Sequence, residues 1–505
     1  MNLYDELLTY CRGDMYPMHM PGHKRNPEFL MENPYAFDVT EVEGTDNLHH
    51  PEGVIRDLMN RMRIYYDTKE SYPLVGGSTC GILAAMSACC KKGDTILVDR
   101  NCHRSVYHGI YLLGLKPVYL YRPIDGETGI ALELPVSRVE EALRKHSDIT
   151  CMILTSPTYE GVVSDIKAIA DVAHKKDISL IVDEAHGAHL SGMAKNADFS
   201  GYCFAQRFAP AMLHGADIVV ESLHKTLPAL TQTGVLHLCS DRISAEDVQR
   251  CLAIYETSSP SYVLMASIAQ CMDWLLNEGT SAFSEYAKKL QWFCEQAKSW
   301  KVLCLWENEK KEPSKLVIGV NMFSGKKLAD VLRQNYCIET EMAANSYVLA
   351  MTSPCDTMDG FERLAKALGE IDRELSGGIG IFSAEVVDSG GKRCGNEGGV
   401  ENINSGGKRC RKHRAYREEM IPAKIRMGAY EAISSTGRQV MLEDCVGEIA
   451  ADTIMAYPPG IPIVAPGEEL TEDVVRKIQL SIETGLTVIG TEGEKIRVVE
   501  KGREL

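Results

Sequence analysis

The sequence predicts an α/β fold built on a mostly parallel sheet with helices on both faces. Short apolar runs rich in β-branched residues recur between about residues 94 and 238, and helix-like segments separate them. A chain of 505 residues, 45% of them hydrophobic, can bury a large core around such a sheet. Its length also exceeds one ordinary domain and predicts two or three.

In chain order the expected strands are 95–98, 118–121, 151–154, 178–182, 217–220 and 235–238. The stretch 241–300 reads as helical and leads out of the large domain. Strand and helix signals return after it. The predicted divisions are an N-terminal segment 1–70, a large domain 71–300, a small domain 301–382, a linker or insert 383–418 and a C-terminal domain 419–505. The insert is Gly-rich and basic, with Ser389-Gly-Gly-Lys-Arg-Cys394 repeated as Ser405-Gly-Gly-Lys-Arg-Cys410, a composition that reads as a solvated linker or, more sharply, as a tethering or regulatory patch. Beyond it, Ala456-Tyr-Pro-Pro-Gly-Ile-Pro462 reads as a rigid turn.

A formal charge of −16 opposes attraction to nucleic acid or to an anionic bilayer, and weakly favours a cationic substrate. The 17 cysteines are scattered and form no C-x-x-C pair, so they read as reduced thiols in a cytoplasmic protein. No basic-then-apolar leader opens the chain, and no apolar run approaches the ~18 residues of a membrane span.

In doubly wound folds ligands meet the carboxyl ends of strands, so polar residues just past the apolar runs are the ones to weigh. One run ends in Asp183-Glu-Ala-His186. Read alone this resembles a helicase acidic box, but no Gly-Lys-Ser or Gly-Lys-Thr phosphate loop accompanies it. Asp183 could merely cap a helix, or its carboxylate could pair with a protonated pyridine nitrogen. The next run enters Glu221-Ser-Leu-His-Lys225-Thr226. A lysine directly after a buried strand is poised as a nucleophile, because burial disfavours its charged form. Gly76-Gly-Ser-Thr-Cys-Gly81 precedes a helical run, where small residues leave backbone N–H groups and the Ser78 and Thr79 hydroxyls free for a phosphate monoester. Ser222 adds a hydroxyl. His103, in Asn101-Cys-His-Arg-Ser-Val106, can lie flat on a cofactor ring. His186 and His189 lack a third ligand at metal spacing, so no metal is expected.

The order of these motifs, with Met20-Pro-Gly-His-Lys24, Asp38-Val-Thr-Glu41, Leu48-His-His-Pro-Glu-Gly53, Ser156-Pro-Thr-Tyr-Glu160 and Thr257-Ser-Ser-Pro-Ser-Tyr262, resembles the prokaryotic ornithine/lysine/arginine decarboxylases in their short form. The resemblance covers nearly the whole chain apart from the insert. It implies the aspartate-aminotransferase-like fold (fold type I), with a seven-stranded, mostly parallel sheet and pyridoxal 5'-phosphate held by Lys225 as a Schiff base. It further implies Asp183 on the pyridine nitrogen, His103 on the ring and His186 beside it. Ser78, Thr79, Ser222 and His224 would hold the phosphate, and Lys225 or His224 would return a proton to Cα. The 257–262 segment would reach a neighbouring subunit's cofactor, implying a homodimer or higher homo-oligomer with shared sites. The N-terminal wing of the long members is missing.

The expected reaction is therefore decarboxylation of arginine, lysine or ornithine to agmatine, cadaverine or putrescine. The substrate's distal cation calls for a carboxylate, and by charge alone Glu41, Glu43, Asp46 and Glu341 qualify. An aminotransferase or carbon–carbon lyase of the same fold is the alternative, but no motif announces the arginine that clamps an α-carboxylate. A cofactor-free regulatory relative would have no reason to keep Lys225, Asp183 and His103 together.

Overall fold

Six of the seven strands of the central sheet form where the apolar runs stand. The computed structural model describes residues 2–29, 31, 33–199, 209–320, 323–377, 421–457 and 460–500. The strands are β1 (Glu70–Leu74), β2 (Thr95–Asp99), β3 (Lys116–Leu120), β4 (Ile149–Thr155), β5 (Ser179–Asp183), β6 (Ile218–Glu221) and β7 (Gly234–Leu238). They lie in the order β1-β7-β6-β5-β4-β2-β3. β7 runs antiparallel to both neighbours, and the remaining pairs are parallel.

Strand side chains alternate between two fully buried cores, one on each face. Leu97, Met152, Leu154, Leu180, Val182 and Val219 enter one core. Ile96, Val98, Ile153, Ile181, Ile218 and Val220 enter the other. Each such side chain contributes about 1.5–3 kcal/mol by leaving water, which explains why runs buried on both faces contain so little polar sequence. The helix Gly77–Cys89 rests on the sheet at Gly81, where a Cβ would stand 2.6 Å from Leu74 Cδ1 and 2.9 Å from Val220 Cγ1. Any side chain there would push the helix off the sheet.

After the helices Ala245–Tyr255, Tyr262–Asn277 and Gly279–Ala297 comes a four-stranded antiparallel sheet. Its strands are β8 (Cys304–Leu305), β9 (Lys315–Gly319), β10 (Met342–Ala343) and β11 (Tyr347–Met351), in the order β10-β11-β9-β8. Near it the N-terminal strand Tyr16–Met18 pairs in parallel with Ile338–Thr340. Residues 421–457 and 460–500 make two three-stranded sheets and the helix Glu472–Glu483. The basic insert 383–418, and Pro458 and Pro459 of the expected turn, lie outside the described residues. The cysteines among the described residues are all free thiols. Among those residues no helix is long and apolar enough to cross a membrane.

Candidate active site

The parallel strands deliver their carboxyl ends to one edge, and β5 is in register with β6 so that Asp183 stands opposite Val220. Past Glu221 the chain turns at Ser222 into the single helical turn Leu223–Thr226, which presents Lys225 beside the strand ends. The Nζ atom of Lys225 lies 3.0 Å from Nε2 of His186. Among the described residues it forms no ion pair. Burial lowers the lysine pKa, against the pull of Asp183 and Glu341, which favours a reactive amine at neutral pH.

Asp183 is 3% exposed, and its Oδ1 accepts the backbone N–H of Ala185 at 3.1 Å. That bond shapes a turn and caps no helix. Burial raises the Asp183 carboxyl, partly offset by Lys225, so the group is suited to meeting a cation delivered by a ligand. The imidazole of His186 is held neutral by burial and by the nearby cations Lys225 and Lys315. Its Nδ1 is buried without a partner, and its ring packs on Tyr159 at 4.6 Å between centroids.

His103 begins the helix Arg104–Leu113 as its N-cap, and its Nδ1 accepts the Ser105 N–H at 3.3 Å. Burial first, then Lys225 and Arg104, bring its pKa down to about 3. A neutral, flat ring therefore lies within the electrostatic reach of Lys225. From the C-terminal region, a Cβ on Gly460 would come 3.8 Å from the His103 ring.

The remaining side of the site is a helix start lined by small hydroxyl residues. Gly77, with φ +77°, opens the helix Gly77–Cys89, with Ser78 half-buried and Thr79 exposed. A Cβ on Gly234 would stand 3.4 Å from the Ser78 nitrogen and 2.7 Å from the Glu221 carbonyl, so this helix start and the lysine loop meet. The hydroxyls of Ser222 and Thr226 are buried there with no hydrogen-bond partner, a cost that a ligand's oxygens would remove. His224 donates from Nδ1 to the Thr233 carbonyl at 2.7 Å, and burial lowers its pKa to about 4. Sequence reasoning missed Thr226, although its hydroxyl stands one residue past the lysine.

Three of the four carboxylates singled out by charge already accept hydrogen bonds, and one of them, Glu341, does so within electrostatic reach of Lys225. Burial would raise Asp46, but backbone N–H bonds from Glu52, Asn47, Gly53 and Ile55 bring it to about 2, and it fixes the entry to the helix Val54–Tyr66. Glu341 accepts the Met20 N–H at 3.0 Å and the Tyr159 hydroxyl. Glu41 takes the Thr40 hydroxyl at 2.5 Å, and Glu43 is exposed. In the 257–262 segment, the Thr257 carbonyl accepts from His49 Nε2 at 2.9 Å, and Tyr262 donates to the Asp46 carbonyl at 2.7 Å. His189 pairs with Glu312 at 3.1 Å, away from Lys225.

The model of the Orn/Lys/Arg decarboxylase major domain matches residues 1–311, and that of the C-terminal domain of the same family matches residues 410–485. The chain is 28% identical to an arginine decarboxylase of Bacillus subtilis (strain 168), over 99% of this chain and 98% of that protein. With an arginine decarboxylase of Bacillus anthracis the identity is 27%, over 99% and 97%. Among solved structures, the lysine decarboxylase of Francisella novicida superposes with a TM-score of 0.74 at 18% identity, covering 98% of this chain and 80% of that one. The serine palmitoyltransferase of Sphingomonas wittichii superposes at 0.54 with 16% identity, over 72% and 88%, and shares the fold. The chain belongs to the Orn/Lys/Arg decarboxylase family and is an amino-acid decarboxylase.

Proposed function

We propose that this member of the Orn/Lys/Arg decarboxylase family removes CO₂ from a basic amino acid, arginine in the first instance, using pyridoxal 5'-phosphate carried by Lys225. The observation that carries the reading is the meeting of three otherwise unmet groups at one sheet edge. They are the lysine amine against neutral His186, Asp183 one strand away with no ion pair among the described residues, and the orphaned Ser222 and Thr226 hydroxyls at a helix start. These residues fit the cofactor's aldehyde, pyridine nitrogen and phosphate in turn. When bound, the cofactor supplies an electron sink for the bond that breaks.

Asp183 would pair with the ring nitrogen and keep its proton. Ser78, Thr79, Ser222 and Thr226, with His224 behind them, would hold the phosphate. His103 would meet the ring, and His186, 3.0 Å from the Lys225 amine, would keep that amine directed at the site. With the His224 Nδ1 proton given to Thr233 and its pKa near 4, His224 is a poor acid at neutral pH. Lys225 Nζ, taking up the proton that the incoming substrate's α-ammonium gives up, would therefore be the group that delivers a proton to the substrate's Cα. A carboxylate leaves as CO₂, and that proton takes its place.

The aminotransferase reading loses support from the two arginines at the neighbouring strand ends. Arg122 is fully buried against Asp99 at 2.8 Å, and Arg100 pairs with Glu468 at 3.1 Å. Neither is available to hold an α-carboxylate. We further infer a cytoplasmic homodimer in which the 257–262 segment meets the partner's site. Free thiols and the exposed Thr257, Ser258 and Ser259 support this.

The test is incubation of the cofactor-loaded protein with arginine, lysine and ornithine separately, assaying CO₂ and amine together. Equimolar CO₂ and amine from one of them is the expected result. Keto acid without CO₂ would overturn the reading.

A further inference from the structure

The substrate class has a distal cation, and a carboxylate that charge alone did not nominate lies on a cavity near the site. A cavity of about 500 Å³ lies where the small sheet, the C-terminal region and the loop after β2 converge, and Asn101, Glu160, Asn345 and Tyr347 line it. Along the chain, its lining residues neighbour the chemistry at two points. Asn101 stands two residues before His103. Tyr159, immediately before Glu160, packs on the His186 ring that touches Lys225.

Glu160 is 8% exposed, and its Oε1 accepts the Tyr347 hydroxyl at 2.9 Å. Among the described residues it forms no ion pair, and burial raises its carboxyl. Facing the same cavity, the side-chain oxygen of Asn345 is buried with no hydrogen-bond donor. A carboxylate without an ion pair beside an acceptor without a donor describes a site for a group that only donates. Guanidinium and ammonium are the side-chain groups with several N–H donors and no acceptor. A carboxylate buried without a cation is costly until one arrives, so the pocket favours charged ligands over neutral isosteres.

We propose that Glu160, with the Asn345 side-chain oxygen, is the subsite that takes the distal cation of the amino-acid substrate. This deepens the decarboxylase reading and rests on it. Glu160 would thus select for a basic side chain, while the groups at the sheet edge act on the α-carbon.

The test compares wild type with Glu160→Gln, which keeps the size of the side chain and an acceptor for Tyr347. In the cofactor-loaded enzyme, turnover of arginine and lysine is set against their neutral counterparts citrulline and norleucine. Glu160→Gln is expected to raise KM for the cationic substrates about a hundredfold, with kcat changed only a few-fold, and to collapse the preference over the neutral pair. Calorimetry on cofactor-free protein gives a second readout. Agmatine or cadaverine should bind wild type and bind Glu160→Gln about a hundredfold more weakly. Unchanged circular dichroism verifies the fold of the variant, and Tyr347→Phe, which leaves the carboxylate in place, should show a smaller effect. A Glu160→Gln enzyme that keeps its preference for cationic substrates overturns the subsite, as does amine binding indifferent to the substitution. Wild type releasing CO₂ from none of the three basic amino acids overturns the parent reading instead, and the amine-binding result still decides the subsite.

Discussion

Lys24 and Lys225 are both lysines withdrawn from water, and they are treated in opposite ways. Lys24 donates to the carbonyls of Pro17, His19 and Met351 at 3.2, 2.9 and 2.7 Å, and Asp356 stands 3.8 Å away. Every proton of that ammonium is spent, two within the N-terminal segment and one on β11. Among the described residues Lys225 has a single hydrogen-bond partner, the neutral His186, at 3.0 Å. Burial lowers both amines, but only Lys24 is given acceptors that hold it as a cation. The difference teaches that burial alone does not mark a functional lysine. What sets Lys225 apart from Lys24 is the hydrogen bonding that the fold withholds.

The comparison breaks first at Lys225 itself. Lys225→Ala should lose turnover by about 10⁴-fold or more, together with the borohydride-sensitive visible absorption of the bound cofactor. A variant that kept that absorption would remove Lys225 from the role. Asp183→Asn comes next. It should still capture cofactor, as judged by borohydride trapping and mass spectrometry, while kcat falls about 10²–10³-fold because the ring nitrogen loses its counter-ion. Undiminished kcat would reduce Asp183 to the turn bond it makes with Ala185.

On the other side of the comparison, Lys24→Met should act on stability. It leaves Asp356 buried with only the Tyr16 hydroxyl and the Ser353 N–H as donors, which should cost about 3 kcal/mol in denaturant unfolding. The kcat of the folded enzyme should stay within a few-fold. Loss of catalysis at full stability would erase the distinction drawn between the two lysines.

The smallest effect is on pH dependence. His103 and His224 have folded pKa values near 3 and 4, below the ~6.5 of an unfolded imidazole. As pH falls below 6.5 the unfolded chain takes up protons that the folded chain refuses, so the stability these groups contribute above that pH is lost on acidification. Between pH 6.5 and 5 each should cost about 1–2 kcal/mol, and His224→Gln should flatten the decline in the cofactor-free protein. Stability that rises on acidification over this window would contradict the sign.

Six strands were legible because burial on both faces demands uninterrupted apolar sequence. β1 was not, since Glu70-Ser-Tyr-Pro-Leu74 is an edge strand with polar residues and a proline. Asp183 and Lys225 were visible because each is a polar residue left at the end of an apolar run, where one residue of chain specifies position. Tyr159 with Glu341, and Glu160 with Tyr347, were invisible because those pairs join residues 182 and 187 positions apart. Asp46 misled for the complementary reason. Its charge is plain in the sequence, but the backbone N–H groups that consume it appear only when the loop closes.

The N-terminal loop has a consequence for how the molecule is made. Gly22 donates its N–H to the His224 carbonyl at 2.7 Å, and a Cβ there would stand 2.6 Å from the Leu227 nitrogen, so the loop lies directly on the lysine turn. That loop is fastened from behind by the Ser353 hydroxyl on the Gly22 carbonyl and by the pairing of Tyr16–Met18 with Ile338–Thr340. During synthesis, residues 20–22 emerge first but acquire these fasteners only after more than three hundred further residues have left the ribosome. Cofactor capture should therefore be among the last events of maturation, and a chain ended at residue 300 should fail to retain the cofactor on gel filtration. An unfinished polypeptide would then expose no competent amine to the aldehyde pool of the cell.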